Sequence, residues 1–393
     1  MRPIETSASR ARWAAACALL FVALALAPAR PASAAEGLEN RFRALESSVV
    51  WERMGWDPGA RAGGEIQESA VTAATELAAG RGLEARIEIA RVAATRARAH
   101  LDAALRGALL VRWMPVREWL LQAGVGLPAG RNNLGPPERA LATLLGDPLF
   151  AFSDPDPARG WRFHLGALRG FAVSRRMEVF LGGGMEVAAS TSPAPGIRLD
   201  PGDRLLTTAA MRVTAGRSDV TARLEAALEG SDRSAGEVLR RKRTLLSGAI
   251  GARTALAGLY GSAAVEGQFC NRLSLIDPAL LGARMSGGPG FFARLAAEFG
   301  LDRPLAWPGA LGLRPALGVS YGRLFPNGLP AGEGWTAWIV PRLALVLPAG
   351  ELQLNGGWGS GSWSEWTPGG SRPARELSGW RWGAAWVHRW GGA

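Results

Sequence analysis

The feature that most constrains this chain is a hydropathy pattern of period two that recurs from residue 44 to residue 390. Successive side chains of a β-strand point to opposite faces, so strict alternation marks a segment with one apolar and one polar side. From Arg117 the run REWLLQAGVGLP sets Trp119, Leu121, Ala123, Val125 and Leu127 against Glu118, Gln122, Gly124 and Gly126. RMEVFLGGGMEV sets Met177, Val179, Leu181, Met185 and Val187 against Glu178, Gly182, Gly184 and Glu186. VTARLEAALE sets Val220, Ala222, Leu224, Ala226 and Leu228 against Thr221, Arg223, Glu225 and Glu229.

The pattern predicts about sixteen strands, near 44–53, 66–79, 82–92, 103–114, 117–128, 160–173, 176–189, 204–215, 219–230, 243–257, 260–270, 290–301, 309–323, 334–347, 350–360 and 377–390, with fourteen as the alternative count. Each approaches the ~10 residues that a tilted strand needs to cross a bilayer. Their connections sort by parity. Short links near Gly80, Met114-Pro115, Ser174-Arg175, Gly216, Gly258 and Ala349-Gly350 interleave with long ones at 129–159, 190–203, 231–242, 271–289 and 361–376. A β-sandwich has no reason to segregate its loops in this way. The expected fold is all-β, an antiparallel up-and-down transmembrane β-barrel with both termini on the short-turn side.

The N-terminus reads as an export signal: Arg2, Arg10 and Arg12 precede an apolar core from Trp13 to Pro28, and Ala32-Ser33-Ala34 offers a cleavage site. The expected division is 1–34 cleavable signal peptide, 35–43 periplasmic N-terminal segment, 44–390 outer-membrane barrel and 391–393 tail. Cleavage leaves Cys270 as the sole cysteine, which excludes an intramolecular disulfide and a thiolate metal cluster. It also removes four Arg and one Glu, lowering the formal charge from +11 to +8. Export makes nucleic acid an unsuitable partner for that charge, so none is expected. A mean hydropathy of +0.04 argues against a bundle of spanning helices but not against a barrel, whose two faces average out.

Charges decide which face meets lipid, because an Arg at the bilayer midplane costs about 2–4 kcal/mol. The polar faces carry Glu84, Glu88, Glu266 and Glu298 besides the candidate pore-lining residues Arg86, Arg106, Arg112, Glu118, Arg162, His164, Arg212, Arg253, Arg294, Arg314 and Arg342. Arg169 falls on an apolar face, which implies a bulge or a place near the membrane interface. Trp113 and Trp119 beside a short turn, and Trp335, Trp358, Trp363, Trp366 and Trp380 near long loops, read as two aromatic girdles.

The last segment, GWRWGAAWVHRW, puts Trp380, Trp382, Ala384, Trp386, His388 and Trp390 on one face. With Arg381 and Gly383 it resembles the β-signal read by the outer-membrane assembly machinery on a closing strand. That resemblance implies an assembly role for Gly383, Trp386, His388 and Trp390. The run VGLPAGRNNL (125–134) resembles outer-membrane proteins of the phenol meta-pathway and fatty-acid transporter type, which implies a transported solute.

Catalytic chemistry finds little to work with. The chain has three histidines, His100 in an expected outer loop, His164 on a lumen face and His388 on the lipid face, and no G-x-S-x-G. Gly182-Gly183-Gly184 lies inside a strand, not before a helix, so it does not read as a phosphate cradle. No catalytic residue, cofactor or metal site is expected, and no enzyme. The 129–159 loop is the candidate constriction, with PPERALATLLG (136–146) expected as a short helix folded over or into the mouth. The 271–289 loop is apolar for an outer loop. The expected function is an outer-membrane channel or transporter for passive diffusion of small solutes, hydrophobic or anionic. The alternative is a structural or adhesion-type barrel with a filled lumen and working outer loops. Expected partners are outer-membrane lipid, the barrel assembly machinery and a small-molecule solute; the oligomeric state is left open between monomer and trimer.

Overall fold

Alternation on this scale is satisfied by rolling one sheet into a cylinder. The computed structural model describes residues 42–389, apart from 59–63, 80–81, 98, 117, 195–196, 235–236, 241–242, 272–289, 308–310, 327–332 and 349 and parts of 128–159 and 365–372. The expected export signal, Trp390 and the 391–393 tail lie outside the described residues. The barrel strands are β1 (Phe42–Asp57), β2 (Ile66–Ala79), β3 (Leu83–Arg96), β4 (Ala99–Val116), β5 (Trp119–Leu127), β6 (Arg162–Ser174), β7 (Met177–Ala188) and β8 (Arg204–Ala215). They continue as β9 (Ser218–Glu229), β10 (Arg243–Leu256), β11 (Leu259–Cys270), β12 (Gly290–Leu301), β13 (Leu311–Pro326), β14 (Gly334–Leu347), β15 (Gly350–Trp363) and β16 (Arg375–Arg389).

Each strand runs antiparallel to its neighbours in chain order. β16 then closes on β1, with Val49 opposite Trp386 and Glu52 opposite Gly383. Closure pairs every strand on both sides and leaves no free edge. All sixteen expected segments become strands of this one antiparallel barrel.

The two faces separate as the alternation requires. Outside, Leu224, Ile250, Val265, Leu295, Phe299, Ile339 and Trp358 each expose between 51% and 61% of their surface. A continuous apolar exterior of this kind is solvated by lipid tails, not by water. At the short-turn end Gly216 and Gly258 adopt φ of +63° and +84°, a conformation open to glycine because it has no Cβ.

Two expectations about connections are corrected. Met114-Pro115 is not a turn: both residues lie inside β4, where the register slips between Trp113 and Val116, and Val116 pairs with Trp119 of β5. A strand proline has no N–H for the ladder, so it sits at such an irregularity. His100 is not in an outer loop but in β4, paired with Thr95, because β3 runs on to Arg96 and β4 begins at Ala99. Within the long connections at 190–203 and 231–242, Thr191–Ala194, Ile197–Asp200, Asp232–Ser234 and Glu237–Arg240 form a four-stranded antiparallel patch. Strands of three or four residues are too short for alternation to reveal.

Candidate functional site

The interior is not uniformly polar. At the long-loop end, the inward side chains of β1–β4 and β13–β16 include Trp56, Ile66, Leu101, Trp338, Trp363 and Leu377, and these surround five side chains of the β5–β6 loop. Those five, Leu141, Leu145, Leu149, Phe150 and Phe152, are all buried. Pro137, Glu138, Leu141 and Leu145 have helical backbone. A proline at the start suits a first turn, and the four-residue spacing of Leu141 and Leu145 puts them on one side of the helical stretch. The Glu138 carboxylate accepts the Gly135 N–H at 2.6 Å, holding the entry to the helical stretch.

The wall grips the loop by its backbone as well. Trp56 Nε1 donates to the Phe150 carbonyl at 3.2 Å, and the Thr336 hydroxyl donates to the Leu149 carbonyl at 3.0 Å. Phe150 meets Trp56 and Trp363 edge-on, with ring centroids at 6.1 and 5.2 Å. Each fully buried Leu or Phe contributes roughly 1.5–3 kcal/mol of transfer free energy, opposed by about 1–2 kcal/mol of backbone entropy for every loop residue it fixes. Side-chain packing therefore has to hold the loop in place. Gly359 and Gly379 make room for the tryptophans: a Cβ on Gly379 would lie 2.7 Å from the Trp56 ring, and one on Gly359 2.8 Å from Trp338.

Trp363 thereby leaves the girdle assigned to it. It is separated from the inward Glu351 by an even number of residues, is buried, and packs on Phe150 inside the mouth. Trp335 and Trp358 do lie outward and exposed. The side chain of Trp366 lies outside the described residues.

The opposite arc of the same rim is built differently. Strands β6 to β10 each contribute one inward charge near the long-loop end, in the order Arg162, Glu186, Arg204, Glu229, Arg243. Glu186 lies 2.8 Å from Arg162 and 3.7 Å from Arg204, and Glu229 lies 2.7 Å from Arg204 and pairs also with Arg243. The Glu229 side chain has no solvent exposure. Alternating signs across adjacent strands give each carboxylate two cationic neighbours, which offsets the cost of burying its charge. Sequence reading found Arg162 but missed Arg204 and Arg243, which open their strands where parity is hardest to assign. Among the described residues no side chain of β5–β11 joins the apolar cluster.

Nearer the short turns, strands β8 to β14 and β16 border an open cavity of about 590 Å³. Arg212, Arg253, Arg294 and Arg342 line it, joined by Arg381, Asp219 and Glu298. Arg342 donates to Glu298 at 2.5 Å, as does the Tyr260 hydroxyl to the other carboxylate oxygen at 2.5 Å. Arg381 donates to Glu52 at 3.2 Å. The sequence offers Arg381 as the polar residue of the assembly signal; its place in this cavity follows from inward parity.

The remaining candidates are distributed around the wall. Arg86 pairs with Glu76 at 3.1 Å and Glu88 at 3.0 Å, and Arg112 stands opposite Glu84 in the register. Gln122 and His164 share a hydrogen bond of 2.8 Å, and Arg314 pairs with Glu351 at 2.5 Å. The side chain of Arg106 lies outside the described residues. Glu118 is not on the inner wall: it occupies the turn before β5, 3.7 Å from Arg169. Arg169 itself projects outward, with its guanidinium over the rings of Trp119 and Phe171. The register of β6 is regular there, so an edge position, not a bulge, accommodates it. On β16, Gly383 faces inward against Asn355, while Trp386 and His388 stand opposite Val49 and Ser47 of β1.

No family model matches the chain, and no curated protein matches it. Its structural neighbours are outer-membrane β-barrel proteins. OpdK from Pseudomonas aeruginosa, in a structure with vanillate, is 11% identical with a TM-score of 0.46, over 88% of this chain and 98% of that one. OccD3 (OpdP) from the same organism is 9% identical with a TM-score of 0.45, over 88% and 91%. OmpT of Vibrio cholerae is 8% identical with a TM-score of 0.43, over 88% and 98%.

Proposed function

We propose that this chain is exported by cleavage of residues 1–34, folded into the outer membrane by the barrel assembly machinery, and serves there as a channel for passive diffusion of small solutes. The observation that carries this reading is an apolar cylinder whose interior keeps an arginine-lined cavity of about 590 Å³ between charged strands. A wall of this kind stays wet, and its fixed positive charge raises the local concentration of anions. At the long-loop end the solute passes between the seated loop and the charge ladder of β6–β10, apolar on one side and ionic on the other. The VGLPAGRNNL resemblance supports transport as well.

The filled-lumen reading has one observation in its favour, the loop seated among Trp56, Trp338 and Trp363. Refolded mature protein in a planar bilayer separates the two. Stepwise ionic current with a reversal potential displaced towards anions in a salt gradient is expected. A barrel that inserts yet passes no current is the adhesion-type alternative.

A further inference from the structure

We propose that the cavity bounded by Arg212, Arg253, Arg294, Arg342 and Arg381 is a binding site for a compact oxyanion carrying two or three charges, the chemistry of an organic phosphate or a polycarboxylate. The proposal rests on the channel reading and makes that channel selective. Five guanidiniums and two carboxylates, Asp219 and Glu298, border the space, and Glu52 pairs with Arg381 just beyond it, which leaves an excess of two positive charges. The carboxylates are already engaged. Asp219 accepts the Thr214 hydroxyl at 2.7 Å and lies 3.5 Å from Arg212, while Glu298 is held by Tyr260 and Arg342.

Two arginines are left with donors to offer. Among the described residues neither Arg253 nor Arg294 forms an ion pair. Arg253 lies over the Tyr260 ring at 5.3 Å and stands opposite Asp219 in the register without forming an ion pair, and Arg294 stands opposite Glu266 in the same way. Arg294 and Arg342 also lie within electrostatic range of Arg381, whose own charge is met by Glu52. Guanidinium forks match pairs of oxygens on phosphate or carboxylate. The cavity falls within the roughly 300–1,000 Å³ of ordinary small-molecule sites. Ala252, Ala264, Ala296 and Gly318 line it without filling it. A singly charged ion answers one fork; a compact ion with several charges answers arginines from β10, β12 and β14 together.

The test uses pyrophosphate and citrate as probes, with acetate as the singly charged comparison, on the full mature barrel. Binding is read by calorimetry in detergent and by interruption of chloride current in a planar bilayer. Pyrophosphate or citrate is expected to bind and interrupt current where acetate does not, and the better probe names the source chemistry. R253Q combined with R294Q is expected to weaken that binding about tenfold or more. It removes no ion pair, so assembly is checked simply by the mobility shift of the folded barrel on heating. Equal affinity in the double variant, or no preference over acetate, overturns the site. Calorimetric binding that the double variant loses, in a barrel without current, retains the site and defeats the channel reading instead.

Discussion

The two arcs of the long-loop rim share strand direction, inward parity and depth, yet they solve the same problem with opposite chemistry. Along β1–β4 and β13–β16 the wall is apolar and buries Leu141, Leu145, Leu149 and Phe150 of its own loop. Along β6–β10 the wall is ionic and pairs only with itself, through Arg162, Glu186, Arg204, Glu229 and Arg243. Inward parity therefore does not mean polar. It means out of lipid, and what fills the space behind it decides whether a tryptophan or an arginine is stable there.

The sharpest way to break this contrast is to remove the occupant of the apolar arc. Deleting 136–146 takes out Leu141 and Leu145 and exposes Trp56 and Trp338, so single-channel conductance is expected to rise several-fold. An unchanged conductance would mean that the loop does not narrow the passage. The ionic arc is attacked at its centre by E229Q, which leaves Arg204 and Arg243 without their shared carboxylate. Breaking a buried pair costs about 3–5 kcal/mol, measured here as a lower midpoint of urea unfolding in detergent. A loss below about 1 kcal/mol would show that water reaches this ladder freely.

Two smaller effects sharpen the comparison. Gly379→Ala places a methyl against Trp56 and is expected to cost about 1–3 kcal/mol by overpacking. The same change at Gly248, where the nearest atom to an added Cβ is 3.6 Å away, is expected to be neutral in the same unfolding assay. Finally, E76Q breaks a pair with Arg86 whose side chains are 43% and 39% exposed, and should cost less than about 1 kcal/mol. If E76Q and E229Q have equal effects, burial is not what distinguishes the ladder.

Much of the cylinder was legible because its rule is local. Leu224 and Glu225 differ in chemistry, and two neighbours suffice to say that they face opposite ways. Trp363 shows where the rule gives out: a tryptophan at a strand end reads the same whether it faces headgroups or lumen, and only an unbroken count back to Glu351 separates the two. Glu118 was misplaced for the related reason that a turn residue has no parity. The helical stretch in the β5–β6 loop could be seen from Pro137 and its leucine spacing, but its seat could not. Phe150 is sequentially remote from Trp56, Trp338 and Trp363, and no local pattern connects them. Arg253 and Arg294 were visible as inward charges, whereas their meeting with Arg381 depends on the curvature of the sheet, which no local pattern carries.

Closure of β16 onto β1 has a bearing on when the mouth can take its final form. Met54 and Trp56 belong to the first strand and Leu377 to the last, and all three pack in the cluster that receives the loop. A nascent barrel still open between β1 and β16 presents only two separated half-seats, one at each margin of an unrolled sheet. Ordering the loop before the margins meet would cost its entropy without most of its contacts. Seating of the loop is thus a late event of biogenesis, and the docked mouth acts as a latch across the last seam to be sewn.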